Sequence, residues 1–191
     1  MQIVNTATEE IIKEIVEDDA SALLNKFNAL KAAQTEWGQT SLEKRISILE
    51  NFFAALDSKK EHLSQVLTAE VGKPLQQSRN EINGARTRCR WMLDHAATYL
   101  SDEWMLMSDG MKEKISYEPL GVICNISAWN YPYLVGVNVF FPALIAGNAV
   151  MYKPSEFATL TGMEIEKLLK ESGVPGEVFQ LAVGGKETGE R

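Results

Sequence analysis

Residues 120–153 read LGVICNISAWNYPYLVGVNVFFPALIAGNAVMYK, and the changes of period along this stretch decide the fold. Val122 to Ile126 is a short apolar run of the buried-strand type. Leu134, Val137, Asn138, Phe141, Leu144 and Ile145 then keep helical spacing as far as Gly147, and Ala149 to Lys153 is a second strand. Farther on, Leu160 to Lys170 predicts a second helix, stopped by Gly173 and Pro175, and Val178 to Val183 a third strand. Strand–helix–strand–helix–strand with connections this short implies parallel strands and right-handed crossovers. The fold class is α/β, and 119–191 is the first half (βαβαβ) of a doubly wound parallel sheet. The third strand runs into Gly184-Gly185-Lys186-Glu187-Thr188-Gly189, a turn that opens another helix. Two crossovers cover such a sheet only in part, so the chain reads as a fragment.

Outward from this core, residues 104–118 carry a hairpin signal, because Asp109-Gly110 supplies the positive φ of a tight turn. Lys112, Lys114 and Glu118 alternate with less polar neighbours, as on an exposed ribbon or one that pairs with another subunit. Residues 1–103 predict a short β segment at Ile11, Ile12, Ile15 and Val16, then four helices. Asp18 or Asp19 caps the first, whose apolar face is Leu23, Phe27, Leu30 and Trp37, and Gly38 stops it. Ser41 caps the second, with Ile46, Leu49, Phe53 and Leu56 on one side. Ser58 with Glu61 forms a capping box for the third, which Gly72-Lys73-Pro74 ends. The fourth aligns Ile82, Ala85, Cys89, Met92, Ala96 and Tyr99.

Composition excludes several classes. Among 191 residues, 45% are apolar and 24% charged, which suits a soluble globular chain. A net charge of −7 is the wrong sign for a nucleic-acid binder. Tyr133 to Met151 is mostly apolar, but Asn138, Pro142, Gly147 and Asn148 interrupt it, favouring a buried helix and strand over a membrane span. Two cysteines and a polar, acidic start suit a reducing, cytoplasmic setting. Cys89 falls on an apolar helix face and Cys124 inside a buried strand. Both read as small hydrophobes rather than nucleophiles, and no metal site is expected.

Ligands of open α/β sheets bind beyond the carboxyl ends of the strands. Three loops occupy that edge: Ser127 to Pro132, Pro154 to Ala158, and Gly184 to Gly189. Trp129 offers a flat wall and Asn130 an amide. Lys153, Ser155 and Glu156 offer a cation, a hydroxyl and a carboxylate for ribose hydroxyls, and the glycines allow close backbone approach. Neither G-x-G-x-x-G after the first strand nor G-x-x-x-x-G-K-[ST] is present. A dinucleotide site here therefore departs from the usual Rossmann geometry.

Pro119-Leu120-Gly121-Val122-Ile123, Ala128-Trp129-Asn130-Tyr131-Pro132, Pro142-Ala143-Leu144, Ala146-Gly147-Asn148 and Lys153-Pro154-Ser155-Glu156 together resemble the aldehyde dehydrogenase superfamily. Gly173-Val174-Pro175, Val178-Phe179 and the Gly185/Gly189 turn continue the likeness, and Asn5 to Val16 with Gly72-Lys73-Pro74 extend it over essentially the whole chain. The resemblance implies NAD(P)-dependent oxidation of an aldehyde to a carboxylic acid. A cysteine thiolate attacks the carbonyl, hydride passes to the nicotinamide, and a glutamate-activated water hydrolyses the thioester.

By the same resemblance Asn130 is the catalytic oxyanion amide. Lys153 and Glu156 hold the adenosine ribose with Ser155 beside them, Ala128 and Trp129 line the cofactor wall, and Gly185 and Gly189 form the turn near the adenine and pyrophosphate. Glu156 favours NAD over NADP, because a carboxylate beside the 2′-hydroxyl repels a 2′-phosphate. The family's dimers and tetramers imply a homodimer or homotetramer at full length, with the hairpin as an oligomerisation arm. Three positions depart from the pattern. Ala128 replaces a usual proline, Val139 stands where some members carry a basic residue, and a shortened turn leaves Gly184 and Gly185 as rival matches. The nucleophilic cysteine and general-base glutamate lie beyond the equivalent of residue 191, so the 191-residue piece is expected to be inactive. Two alternatives stay open: a short non-catalytic nucleotide-binding or oligomerisation module, and coenzyme A as acyl acceptor in place of water.

Overall fold

The computed structural model describes residues 1–108 and 110–190. The chain opens with an antiparallel pair, β1 (Gln2–Val4) and β2 (Ile11–Glu14). Four helices follow: α1 (Ala20–Gln39), α2 (Leu42–Ser58), α3 (Lys60–Val71) and α4 (Leu75–Tyr99). The hairpin is β3 (Glu103–Ser108) and β4 (Met111–Ile115), and the turn residue Asp109 lies outside the described residues. Then come β5 (Val122–Ile126), α5 (Pro132–Ile145), β6 (Ala149–Lys153), α6 (Thr159–Ser172), β7 (Phe179–Leu181) and α7 (Lys186–Glu190).

β5, β6 and β7 form a three-stranded parallel sheet in that order, with Ile123 opposite Val150 and Val150 opposite Phe179. The sheet is the half of a doubly wound fold expected from the alternating pattern. Period two divides its side chains. Asn125, Tyr152, Phe179 and Leu181 are buried on the face that carries α5 and α6. Phe140 of α5 is the hub on that face, meeting Phe52 of α2, Tyr152 of β6 and Phe179 of β7 edge-on at 6.0, 5.8 and 5.4 Å between centroids. Each such aromatic pair adds about 0.5–1.5 kcal/mol beyond the area it buries. Around the hub, Leu49 and Leu56 of α2 and Ile82, Ala85 and Cys89 of α4 are also buried, so the N-terminal helices and the sheet share one core.

α1 lies on the opposite face and covers it only in part. Cys124 and Ile126 are therefore exposed, not inside a buried strand, because β5 is an edge strand with one bare face. Phe27 of α1 is likewise exposed, whereas Leu30 and Trp37 nearer the C-terminus are buried. On α4, Leu93 takes the buried place given to Met92, and Tyr99 is exposed.

Three helix boundaries are set by packing that local signals do not carry. Asp19 caps α1 as expected, accepting the Ala22 N–H at 2.7 Å, but α1 runs through Gly38 and ends at Thr40. The turn at Gly147 is the partner that needs glycine: its φ is +87°, and a Cβ there would stand 3.3 Å from the Gly38 Cα and 3.1 Å from Pro119 Cγ, whereas a Cβ on Gly38 would lie 3.6 Å from the Gly147 carbonyl, an ordinary contact. Ser41 caps α2 through the Lys44 N–H, at 3.3 Å. The capping box at Ser58 and Glu61 does not form. Ser58 closes α2, donating to the Ala55 carbonyl, and Lys59 starts α3 with no side-chain cap. Glu61 instead pairs with Arg79.

The apolar stretch Tyr133 to Met151 folds as α5 followed by β6. Among the described residues no helix is long and apolar enough to cross a membrane.

Candidate functional site

The carboxyl ends of β5, β6 and β7 open onto the three loops singled out above. Beneath them lies a cavity of about 490 Å³, walled by Leu23 and Phe27 of α1, Cys124, Met151, Lys153 and Gly189, within the range of small-molecule sites. Among the described residues Lys153 is the one charged side chain of its lining. It is buried at the end of the central strand, and its ammonium donates to the Pro154 carbonyl at 3.2 Å. Gly189 gives the lysine stem its room, because a Cβ there would come within 3.2 Å of Lys153 Cε. The structure therefore brings Lys153 and Gly189 together.

Ser155 and Glu156 form a separate couple. Ser155 caps the short 3₁₀ turn Glu156–Ala158, accepting the Phe157 N–H at 3.3 Å, and its hydroxyl donates to the Glu156 carboxylate at 3.2 Å. Among the described residues no ion pair joins Glu156 to Lys153, and Glu156 is absent from the lining of the cavity that Lys153 walls. Gly185 is open on its Cα side, and its N–H faces the Glu17 carboxylate at 3.4 Å. Gly184 is the constrained glycine. Its φ is +150°, and a Cβ would fall 2.0 Å from Thr188 Oγ1. Asp18 locks this corner by exchanging backbone hydrogen bonds with Val183: its N–H reaches the Val183 carbonyl and its carboxylate the Val183 N–H, each at 2.8 Å.

Ala128, Trp129 and Asn130 follow β5 on an exposed loop at the same edge. The Ser127 N–H ties that loop to the Lys153 carbonyl at 2.9 Å. Asn130 is held by its backbone: its carbonyl accepts from the Lys73 ammonium at 2.6 Å, and among the described residues its side-chain amide has no hydrogen bond.

The sequence profile of the aldehyde dehydrogenase family matches residues 1–191. This chain belongs to that family. It is 33% identical over 193 residues to a 3,6-anhydro-alpha-L-galactose dehydrogenase of Streptomyces coelicolor, covering 99% of this chain and 38% of the relative. It is 32% identical over 163 residues to an N-succinylglutamate 5-semialdehyde dehydrogenase of Yersinia pseudotuberculosis, covering 85% and 32% of the two chains. An indole-3-acetaldehyde dehydrogenase superposes with a TM-score of 0.94 at 25% identity, over 100% of this chain and 46% of its own. The betaine aldehyde dehydrogenase of Staphylococcus aureus, solved with NAD⁺, superposes with a TM-score of 0.90 at 26% identity, over 97% and 38%. The chain thus spans about a third to just under half the length of these aldehyde dehydrogenases.

The residues that hold the loops lie outside the motifs that mark the strand-end loops. Glu81 is buried on α4 and accepts the Tyr133 and Leu134 N–H groups at the start of α5, at 2.8 and 3.4 Å. Glu70 is buried on α3 and does the same for α6, accepting Leu160 N–H at 2.6 Å and Thr161 N–H and hydroxyl at 2.9 Å each. Burial pushes both carboxyls above their ordinary range, opposed by these hydrogen bonds and, at Glu81, by Lys73. The signal was present: Glu70 continues the stripe of Leu63 and Leu67, and Glu81 sits beside Ile82 at core positions. An acidic residue in an apolar stripe implies a buried partner.

Proposed function

We propose that the intact protein oxidises an aldehyde to a carboxylic acid with NAD⁺, and that this chain supplies the adenosine corner and the oxyanion amide. The observation that carries this reading is the buried Lys153 ammonium over a nucleotide-sized cavity, on the same sheet edge as the unengaged Asn130 amide. A bound NAD⁺ would supply the acceptor for the aldehyde hydride, with water as the source of the second oxygen and the protons released to solvent.

Each residue of this chain then has a stated task. Lys153 donates to a ribose hydroxyl and Glu156 accepts from the other, with Ser155 fixing the Glu156 carboxylate. The same carboxylate disfavours a 2′-phosphate, so NAD is the cofactor and NADP the weaker alternative. Trp129 and Ala128 wall the cofactor, while Gly189 lets the Lys153 stem lie flat. The Glu17 carboxylate at the Gly185 N–H would repel a phosphate, which assigns the Gly185 turn to the adenosine end. Asn130 donates to the oxygen that gains charge when the aldehyde carbon is attacked.

Cys89 is no nucleophile, because burial pushes its thiol up to about 12. Cys124 stands in the cavity wall at the adenosine end, away from the carbon that loses hydride. The thiolate and the general-base glutamate are therefore assigned to sequence outside these residues. The exposed ribbon of β3 and β4, with Trp104, Met105 and Met111 outward, serves as an oligomerisation arm.

The test is aldehyde-dependent NADH formation by the intact gene product, with its mass measured in parallel. A product well above 21.3 kDa that forms NADH supports the reading. A product of 21.3 kDa that forms none replaces it with a non-catalytic nucleotide-binding or oligomerisation module.

A further inference from the structure

The Lys73 side chain is largely buried, although it sits in the loop between α3 and α4. Its ammonium contacts three groups: the Glu81 carboxylate, the Asn130 carbonyl at 2.6 Å, and the face of the Tyr131 ring, 4.1 Å from the centroid. The Glu81 carboxylate in turn accepts the N–H groups of Tyr133 and Leu134. One charge pair therefore grips the backbone on both sides of Pro132, at the Asn130 carbonyl before it and at the Tyr133 and Leu134 N–H groups after it, with the Tyr131 ring packed on the ammonium.

Both grips come from α4 and the loop that precedes it, not from the sheet. The Ser127 N–H fastens the loop's other end to β6. Between these two anchors Asn130 is exposed, so its direction depends on where its main chain is held. An oxyanion donor acts only when it lies about 2.7–3.1 Å from the developing charge, and a misplacement of about 1 Å costs about 100-fold in rate.

We propose that Lys73 and Glu81 are a positioning pair that sets the approach of the Asn130 amide to the oxyanion; this rests on the oxyanion role proposed above. The pair touches neither aldehyde nor cofactor, and its effect passes through the Asn130 backbone. Lys73 neutralises Glu81, and without it a carboxylate would remain buried without its cation. The informative variant therefore removes both charges.

The test uses the intact gene product with an aldehyde and NAD⁺, comparing the parent with Lys73→Met/Glu81→Gln, Lys73→Arg and Asn130→Ala. In the doubly neutral variant kcat should fall about 10- to 100-fold, with the Kd for NAD⁺ changed by less than about twofold. Lys73→Arg, which keeps the cation, should recover a part of that loss. Adding Asn130→Ala to the neutral variant should cost far less than it costs the parent, because the amide is already misplaced. An unchanged kcat in the neutral variant, beside a large loss in Asn130→Ala, overturns the pair and leaves the oxyanion role standing. Losses that simply add, or that fall equally on kcat and on NAD⁺ affinity, reduce the pair to a structural brace and also overturn it. No turnover in the parent, or none lost in Asn130→Ala, overturns the oxyanion role and the pair with it.

Discussion

Lys153 and Glu156 are three residues apart and have different surroundings, and their roles follow from that difference. The lysine is buried at the end of a strand, where its stem packs against Gly189. The carboxylate is half-buried on a turn and steadied by Ser155. Glu156→Gln should weaken NAD⁺ binding by about tenfold, the worth of one charge-assisted hydrogen bond, and narrow its advantage over NADP⁺. Calorimetry with each nucleotide reads this directly, and unchanged affinities would remove Glu156 from the ribose. The two thiols also differ. In the folded chain Cys124 should react with a thiol reagent at once while Cys89 waits for unfolding, since only the first is exposed. The exposure of Cys124 was not legible in the sequence, because an apolar run of five residues reads the same on an edge strand as on a central one.

At the scale of elements, the two crossover helices are capped from outside their own sequence. Glu81 meets the amino end of α5 and Glu70 that of α6. At the other end of α5, Trp37 Nε1 donates to the Leu144 carbonyl at 3.1 Å and Arg45 Nε to the Ile145 carbonyl at 2.8 Å. Anion at the amino end and cation at the carboxyl end is the arrangement a helix dipole favours. Arg45 also reaches the carbonyls of Trp37 and Gly38, so it closes α1 as well. Replacing Glu70 by alanine orphans two buried N–H groups and should cost about 1–3 kcal/mol in chemical unfolding.

The pH dependence of Glu70 has a definite sign. Burial raises its carboxyl in the folded state, so folding binds the proton more tightly than the unfolded chain does. That contribution is complete below the ordinary value of about 4.3 and is lost as pH rises through the raised one. Glu70→Gln should therefore flatten the fall in stability seen on raising pH above about 4.3. An unaltered slope would show that Glu70 does not titrate in this window. The helices and the three parallel strands were legible from period, because hydrophobic spacing is local, whereas β1, three residues long and paired only with β2, carried no signal of its own. The caps at Glu70 and Glu81 were not legible, because each joins residues about 50 or 90 apart. Gly38 does not stop α1, because a lone glycine inside a helical pattern looks the same in one dimension as one at a helix end.

Across the whole molecule, the N-terminal helices play two parts. α2, α3 and α4 complete the core beneath α5 and α6, and α1 covers the other face of the sheet in part. The uncovered part of that face is also where the cavity opens, between Phe27 and Lys153. This arrangement agrees with the superposition on aldehyde dehydrogenases over nearly the whole chain and about two-fifths of theirs. In the proposed enzyme the strand-end loops separate two tasks, with Lys153 and Glu156 holding nucleotide and Asn130 serving the reacting carbonyl. One comparison tests it most directly: kcat and the NAD⁺ Kd of Asn130→Ala against the parent, in the intact gene product. A fall in kcat of about 100- to 1,000-fold with NAD⁺ affinity nearly unchanged is the predicted result. Equal losses in both, or no loss of turnover, would contradict it.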